Sequence, residues 1–340
     1  MKLGRIHTTT LDGPEIRLVA VDPGNQRIID LAAAERLRLQ AGGATLEAAR
    51  RLAGVLFPSS LSAALALGPR FLEAAHEAAQ TRADDASMPL TSVKWAPAAD
   101  PSIVRDCISF RAHFEAYFKK MGHNLHPLHY KMPAYYKGST ARFFGHGDTI
   151  PWPCYTDFVD YELELGFIIG GTAHNITPEE ADKLLFGVTI LNDFSARDYQ
   201  DPEMLLMLGP TQCKDFAYAV GPWVTTMDEI KDLGGMEMKA WVNKELWSSG
   251  RSDTMRWEPR DLIAYISRGD TVLPGDLLGS GTVGSGSALE LDRRPKSGDV
   301  VRFEITGLGA LEVTLGQKEE HRWGPTFADV DPKAAAASAV

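Results

Sequence analysis

Cysteine is scarce in this chain: Cys107, Cys154 and Cys213 are the only three among 340 residues. An odd, scattered set excludes a disulfide framework, and none of the spacings is that of a metal finger. Long apolar runs are lacking too, with none near the ~20 residues that a membrane-crossing helix needs. The opening MKLGRIHTTTLDG has no apolar segment of the kind a signal peptide carries. Basic charge is in deficit, since 35 Lys and Arg stand against 45 Asp and Glu for a net charge of −10. Without a basic stripe, nucleic acid and anionic membranes are excluded as main partners. No internal repeat is visible. A cytoplasmic, reduced setting is expected, and in it the acceptor-like Asn175-Ile-Thr177 has no meaning as a glycosylation site.

What is present is ordinary globular usage, 44% hydrophobic and 24% charged. The length suggests two units, or one large domain with a smaller attachment. Residues 1–95 read as an accessory domain. In it, EIRLVAVD and QRIIDL form two strands joined by the turn DPGN, and an alanine-rich helical stretch runs from Leu31 to about Arg82. KWAPAADPS has the composition of a linker. Residues 100–325 then form the main domain, with strands separated by Gly and Pro turns. Two helices stand out there. TPEEADKLLFG has Thr177 as N-cap, Pro178 at the first position, Glu180 completing a capping box and Gly187 as its close. EPRDLIAYISRG puts Leu262, Ile263 and Ile266 on one face and ends at Gly269. The tail at 331–340, DPKAAAASAV, is low in complexity and expected to be disordered. The fold class is α+β, mostly β.

The stretch DYELELGFIIG, residues 160 to 170, sets Asp160, Glu162 and Glu164 on one face of a strand that continues into an apolar run. Like charges fed into a core are costly unless something positive lies between them. A solvated strand edge is the plain alternative. Asp193 in ILNDFSARD ends a second apolar strand in the same manner. A hard divalent cation would satisfy such a group, because Mg²⁺, Mn²⁺ and Ca²⁺ take carboxylate oxygens.

Four motifs in order, DYELELG, LNDFSARDYQ, GPTQCKDFAYAVGPW and LLGSGTVGSGSALEL, resemble the fumarylacetoacetate hydrolase family over roughly residues 100 to 315. The resemblance implies a main domain of the mixed β-sandwich and β-roll type. It also implies a metal site of Asp106, Glu162, Glu164 and Asp193 that takes Mg²⁺, Mn²⁺ or Ca²⁺, with Asp160 flanking it. His113, seven residues after Asp106, matches the family's catalytic histidine, with Glu290 as its partner and Glu115 as a competing one. Lys214 would stabilise an enolate or oxyanion, while Arg197, Gln200, Tyr136 and Thr282 would bind substrate; Tyr135 is the neighbouring choice for Tyr136. Arg197 and Lys214 also read as mere countercharges for the acids. The implied activity is hydrolysis of a carbon–carbon bond in a 1,3-dicarbonyl acid, acylpyruvate or fumarylacetoacetate-like. A 2-oxo acid decarboxylase or hydroxydienoate isomerase using the same metal is the alternative, and a non-catalytic binding module is a further one. A homodimer is the family's usual assembly.

Two motifs mislead. GSGTVG, residues 279–284, fits G-x-G-x-x-G, but strand-like sequence and then proline follow it, not the helix that a dinucleotide site requires. HNLHPLH spaces His123, His126 and His129 by three, yet Pro127 interrupts any helix, and the stretch reads as a lid. One departure from the family is Ile108, where the resemblance leads one to expect tyrosine. It implies a substrate less polar at that end, with Trp152, Phe144 and the methionines of MLLMLGP as candidate lining.

Overall fold

The computed structural model describes residues 1–324 apart from 11, 12, 82, 83 and 123. The tail at 331–340 and His123 lie outside the described residues. A 12-stranded sheet forms the centre, and a five-stranded sheet made of residues 149–152, 237–251 and 300–318 packs on one of its faces. The helices Leu31–Ala41, Leu46–Leu56, Leu61–Leu65 and Pro69–Gln80 cover part of the other face.

The strand Leu163–Ile169 shows why the run LELGFII is apolar on both faces: it lies in mid-sheet between Leu185–Asp193 and Leu277–Gly279. Phe167 and Ile169 enter the core shared with Met238 and Phe303 of the smaller sheet. Ile168 enters the core shared with Phe71 and Leu61 of the helices. Period-two alternation therefore divides the strand between two cores, and all seven of its residues are buried.

The expected hairpin is present as Gly13–Asp22 and Arg27–Asp30, and the helical stretch follows it. The sheet does not break between the expected accessory and main domains. Lys2–Thr10 pairs antiparallel with Tyr218–Thr226, so strands from both share one hydrogen-bonded surface. The stretch expected as a linker is tied into it: Ala96, Ala98 and Ala99 are buried, and the Ala98 N–H donates to Val220 O at 3.1 Å. The capping box of Thr177 and Glu180 forms, but its helix spans only Pro178–Ala181, and Gly187 lies inside the strand Leu185–Asp193. A Cβ at Gly187 would stand 2.6 Å from Thr225 O, so close strand packing, not helix termination, requires that glycine. The helix Pro259–Ser267 buries Leu262, Ile263 and Ile266 as expected, and Gly269 follows it with φ +74°.

Candidate active site

Asp106 comes from the strand Val104–Cys107, Glu164 from Leu163–Ile169 and Asp193 from the end of Leu185–Asp193. One oxygen of each lies within 4.8 Å of the others, and all three residues are buried. Glu164 accepts from the Gly281 N–H at 3.1 Å and from the Thr282 hydroxyl at 3.2 Å. Asp193 Oδ2 accepts from Lys214 Nζ at 2.6 Å and from the Tyr136 hydroxyl at 2.7 Å. Asp106 Oδ1 and Asp193 Oδ1 are buried without any hydrogen-bond partner among the described residues. Burial, then the neighbouring acids, pushes Glu164 well above the usual carboxylate range, and burial does the same to Asp193. Three oxygen donors with two orphaned atoms fit a hard divalent cation and do not fit zinc, which prefers nitrogen and sulfur. Gly279 makes the approach possible, because a Cβ there would lie 1.9 Å from Asp106 Oδ1 and 2.9 Å from Glu164 Oε2.

Glu162 stands beside this trio with its oxygens already engaged. Arg197 Nη2 donates to Oε1 at 2.7 Å, and Lys214 donates to Oε2. Burial opposes ionisation, but Lys214, Arg197 and His113 hold Glu162 well below its ordinary value. Arg197 also donates from Nε to Asp160 at 2.8 Å and from Nη1 to Gln200 Oε1 at 3.0 Å, the helical spacing of three bringing that last pair together. In this arrangement Arg197 and Lys214 act as countercharges to the acids. Asp160 in turn accepts from the Ala288 N–H at 2.8 Å and the Leu289 N–H at 3.2 Å, which ties the segment before Glu290 to Arg197.

His113 lies on the helix Arg111–Met121, with Nδ1 2.8 Å from Glu290 Oε2 and Nε2 3.5 Å from Glu162 Oε1. Glu290 is itself fixed by the Ser285 and Ser287 N–H groups and the Ser287 hydroxyl. Burial disfavours the imidazolium, yet the bonds to Glu162 and Glu290 outweigh it and raise His113 to about 9. Glu115, the competing partner, is taken by Arg111 and the Tyr130 hydroxyl. His126 accepts from the Leu128 N–H at the start of a 3-10 turn, and the His129 ring packs on Phe114 and Phe118 of the His113 helix.

Residues 102–316 match the C-terminal domain of fumarylacetoacetate (FAA) hydrolases. The chain belongs to the fumarylacetoacetate hydrolase family. Its relatives include a mitochondrial oxaloacetate tautomerase of Xenopus laevis, 34% identical over 187 residues that are 53% of this chain and 57% of that protein. A 2,4-didehydro-3-deoxy-L-rhamnonate hydrolase of Sphingomonas sp. is 31% identical over 183 residues, 52% of this chain and 62% of its own length. The chain thus spans less than two thirds of these relatives. The solved structure of a maleylpyruvate hydrolase from Sphingobium sp. SYK-6, in complex with manganese(II) and pyruvate, superposes with a TM-score of 0.68. At 22% identity over 94% of this chain and all of that one, it shows a common fold.

Within this fumarylacetoacetate hydrolase fold, several site neighbours are not apparent from the sequence. Asn192 accepts the Glu162 N–H at 3.0 Å and so fixes the backbone that carries that acid. Tyr117 lies one helical turn after His113, a spacing of four that would have flagged it; burial pushes its phenol to about 12, in the fields of Arg197 and Asp201. Tyr218 bonds to the Tyr136 hydroxyl at 2.7 Å. Burial holds both phenols well above their ordinary range, so both stay protonated. The glycines of GSGTVG follow the strand Leu277–Gly279 without a helix, as expected. The proposed apolar lining is dispersed: Trp152 is buried and donates to Thr156 O, Phe144 and Ile108 are half-buried, and Met204 to Leu208 are all exposed, Met207 at 90%.

Proposed function

We propose that this protein is a divalent-metal-dependent hydrolase of carbon–carbon bonds in small 1,3-dicarbonyl acids, acylpyruvate or fumarylacetoacetate-like. The observation that carries this reading is the His113–Glu290 pair, which turns Nε2 towards the acid cluster. Asp106, Glu164 and Asp193 would hold the cation with Glu162 at its side, and the manganese and pyruvate of the Sphingobium enzyme support that assignment. Bound there, a cation supplies Lewis-acid polarisation of two carbonyl oxygens and, by its charge, lowers the proton affinity of His113.

His113 Nε2 removes a proton from water, while Glu290 accepts from Nδ1–H and steadies the imidazolium. The water oxygen bonds to the distal carbonyl carbon. The adjacent carbon–carbon bond then breaks, and its electron pair stays on the 2-oxo acid fragment as an enolate. Lys214 has two N–H groups on Glu162 and Asp193, which leaves a third that would stabilise that developing charge. The proton returns from His113 to the enolate carbon, giving a carboxylic acid and a 2-oxo acid. Arg197, Gln200, Tyr136 and Thr282 are assigned to positioning the substrate. A homodimer in the cytoplasm belongs to the same proposal.

A second reading keeps the metal site for a 2-oxo acid decarboxylase or hydroxydienoate isomerase, and the name of the Xenopus relative favours tautomerisation of oxaloacetate within it. It uses the same chelation without an attacking water. Protein stripped by EDTA and reloaded with Mg²⁺ or Mn²⁺ is assayed on an acylpyruvate and on oxaloacetate. Under the hydrolase reading, reloading restores acid release from the acylpyruvate, and His113→Ala lowers it about 10²–10⁴-fold. Hydrolysis that survives exhaustive chelation, or turnover of oxaloacetate alone, would overturn it.

A further inference from the structure

Two of the three cluster acids each lie directly opposite a tyrosine in the sheet: Asp106 faces Tyr136, and Asp193 faces Tyr218. The strands of those tyrosines are far apart in hydrogen-bonding order. Four strands lie between Tyr135–Gly138 and Tyr218–Thr226, and they carry Asp106, Gly279, Glu164 and Asp193. The sheet nevertheless curls until its last strand, Tyr135–Gly138, comes back to the interior strand Tyr218–Thr226, because the Tyr136 and Tyr218 hydroxyls are 2.7 Å apart. Gly138 leaves room for the contact, since a Cβ there would lie 2.0 Å from the Tyr218 hydroxyl.

The direction of this chain of hydrogen bonds is fixed by its end. Asp193 Oδ2 already receives the Lys214 ammonium and therefore accepts from Tyr136 as well. Tyr136 has one proton, donates it there, and so accepts from Tyr218. With Oδ2 holding two donors, Asp193 Oδ1 is left buried without a partner among the described residues, and one oxygen of Asp193 lies within 4.8 Å of one each from Asp106 and Glu164. Hydrogen bonds to a ligating carboxylate orient it, and chains of them reinforce one another.

We propose that Tyr218 is a positioning residue for the metal centre, acting through Tyr136 to aim Asp193 Oδ1 at the cation. The proposal rests on the metal reading above. Tyr218 touches neither cation nor substrate; its hydroxyl clasps the last strand of the curled sheet to an interior one where a ligand must be held.

The test is Mn²⁺ affinity by calorimetric titration of the EDTA-stripped protein, with activity read separately. Tyr218→Phe removes one oxygen and keeps the ring stacked on Phe143. It is expected to weaken Mn²⁺ binding about tenfold, and Tyr136→Phe by about 10- to 100-fold. The double variant should bind like Tyr136→Phe alone, because Tyr218 has no route to Asp193 once Tyr136 is cut. Gly138→Ala, which presses on the Tyr218 hydroxyl from outside, should reproduce the Tyr218→Phe loss if Tyr218→Phe folds poorly. Unchanged Mn²⁺ affinity in Tyr218→Phe, or losses that multiply in the double variant, would overturn the proposal. Wild-type protein that binds no Mn²⁺ would instead overturn the metal reading, and with it the role of the clasp.

Discussion

Gly279→Ala tests the cluster by geometry alone, because it changes no charge and no hydrogen bond. A methyl group at this position would stand 1.9 Å from Asp106 Oδ1 and 2.9 Å from Glu164 Oε2. Carbon and oxygen settle at about 3.3 Å or more, so the Asp106 oxygen must retreat by roughly 1.4 Å. A metal site keeps its ligand distances to within about 0.2 Å, which makes that retreat equivalent to losing the ligand. The fold should survive, since overpacking of this kind costs about 1–3 kcal/mol. Mn²⁺ affinity should fall by at least about 100-fold, and activity with it. Calorimetric titration gives the affinity, and urea unfolding of the metal-free protein gives the stability. Wild-type Mn²⁺ affinity in Gly279→Ala would show that Asp106 and Glu164 do not meet at the cation, and the reasoning would be refuted.

Glu290→Gln should lower hydrolysis by about 10²–10⁴-fold while leaving Mn²⁺ affinity unchanged, because the amide no longer supports an imidazolium on His113; equal kcat/KM in variant and wild type would refute the base assignment. Asp270 is held at about 2 by its bond to Arg105 and by the Thr271 N–H, well under the ~3.9 of an unfolded chain. Its contribution to stability is therefore present above about pH 4 and lost as pH falls towards 2. Thermal midpoints of wild type and Asp270→Asn should differ at pH 5 and converge at pH 2, and a constant difference would refute the pairing.

How much of this was legible depended on whether a feature is local. The Thr177 capping box and the Arg197–Gln200 spacing follow from chain periodicity, and both are present. Gly187 was misread because its constraint comes from Thr225 on a neighbouring strand and not from the helix before it. KWAPAADPS has a linker's composition, but small residues suit a tight core equally well, and here Ala96, Ala98 and Ala99 are buried with Ala98 bonded to Val220. The methionines of MLLMLGP are apolar without being buried, so hydrophobicity alone does not place them. Tyr218 meets Tyr136 across 82 positions, a contact that only the curl of the sheet creates.

Positive charge is distributed unevenly around the acids. Arg197, Lys214 and His113 all crowd Asp160, Glu162 and one oxygen of Asp193. Glu164 receives only the neutral donors of Gly281 and Thr282, and Asp106 Oδ1 receives nothing among the described residues. Countercharges serving the fold alone would reach both sides, because each unpaired buried carboxylate carries a penalty of several kcal/mol. Pairing stops instead where coordination would begin, so the metal-free protein is strained at Asp106. Asp106→Asn should relieve that strain, since its amide can donate to the free oxygen of Asp193 or to Glu164, a hydrogen bond worth about 0.5–1.5 kcal/mol. Urea unfolding in EDTA should show the variant more stable than wild type, and Mn²⁺ should stabilise wild type far more than the variant. A variant less stable than wild type in EDTA would mean that Asp106 serves the fold rather than a cation.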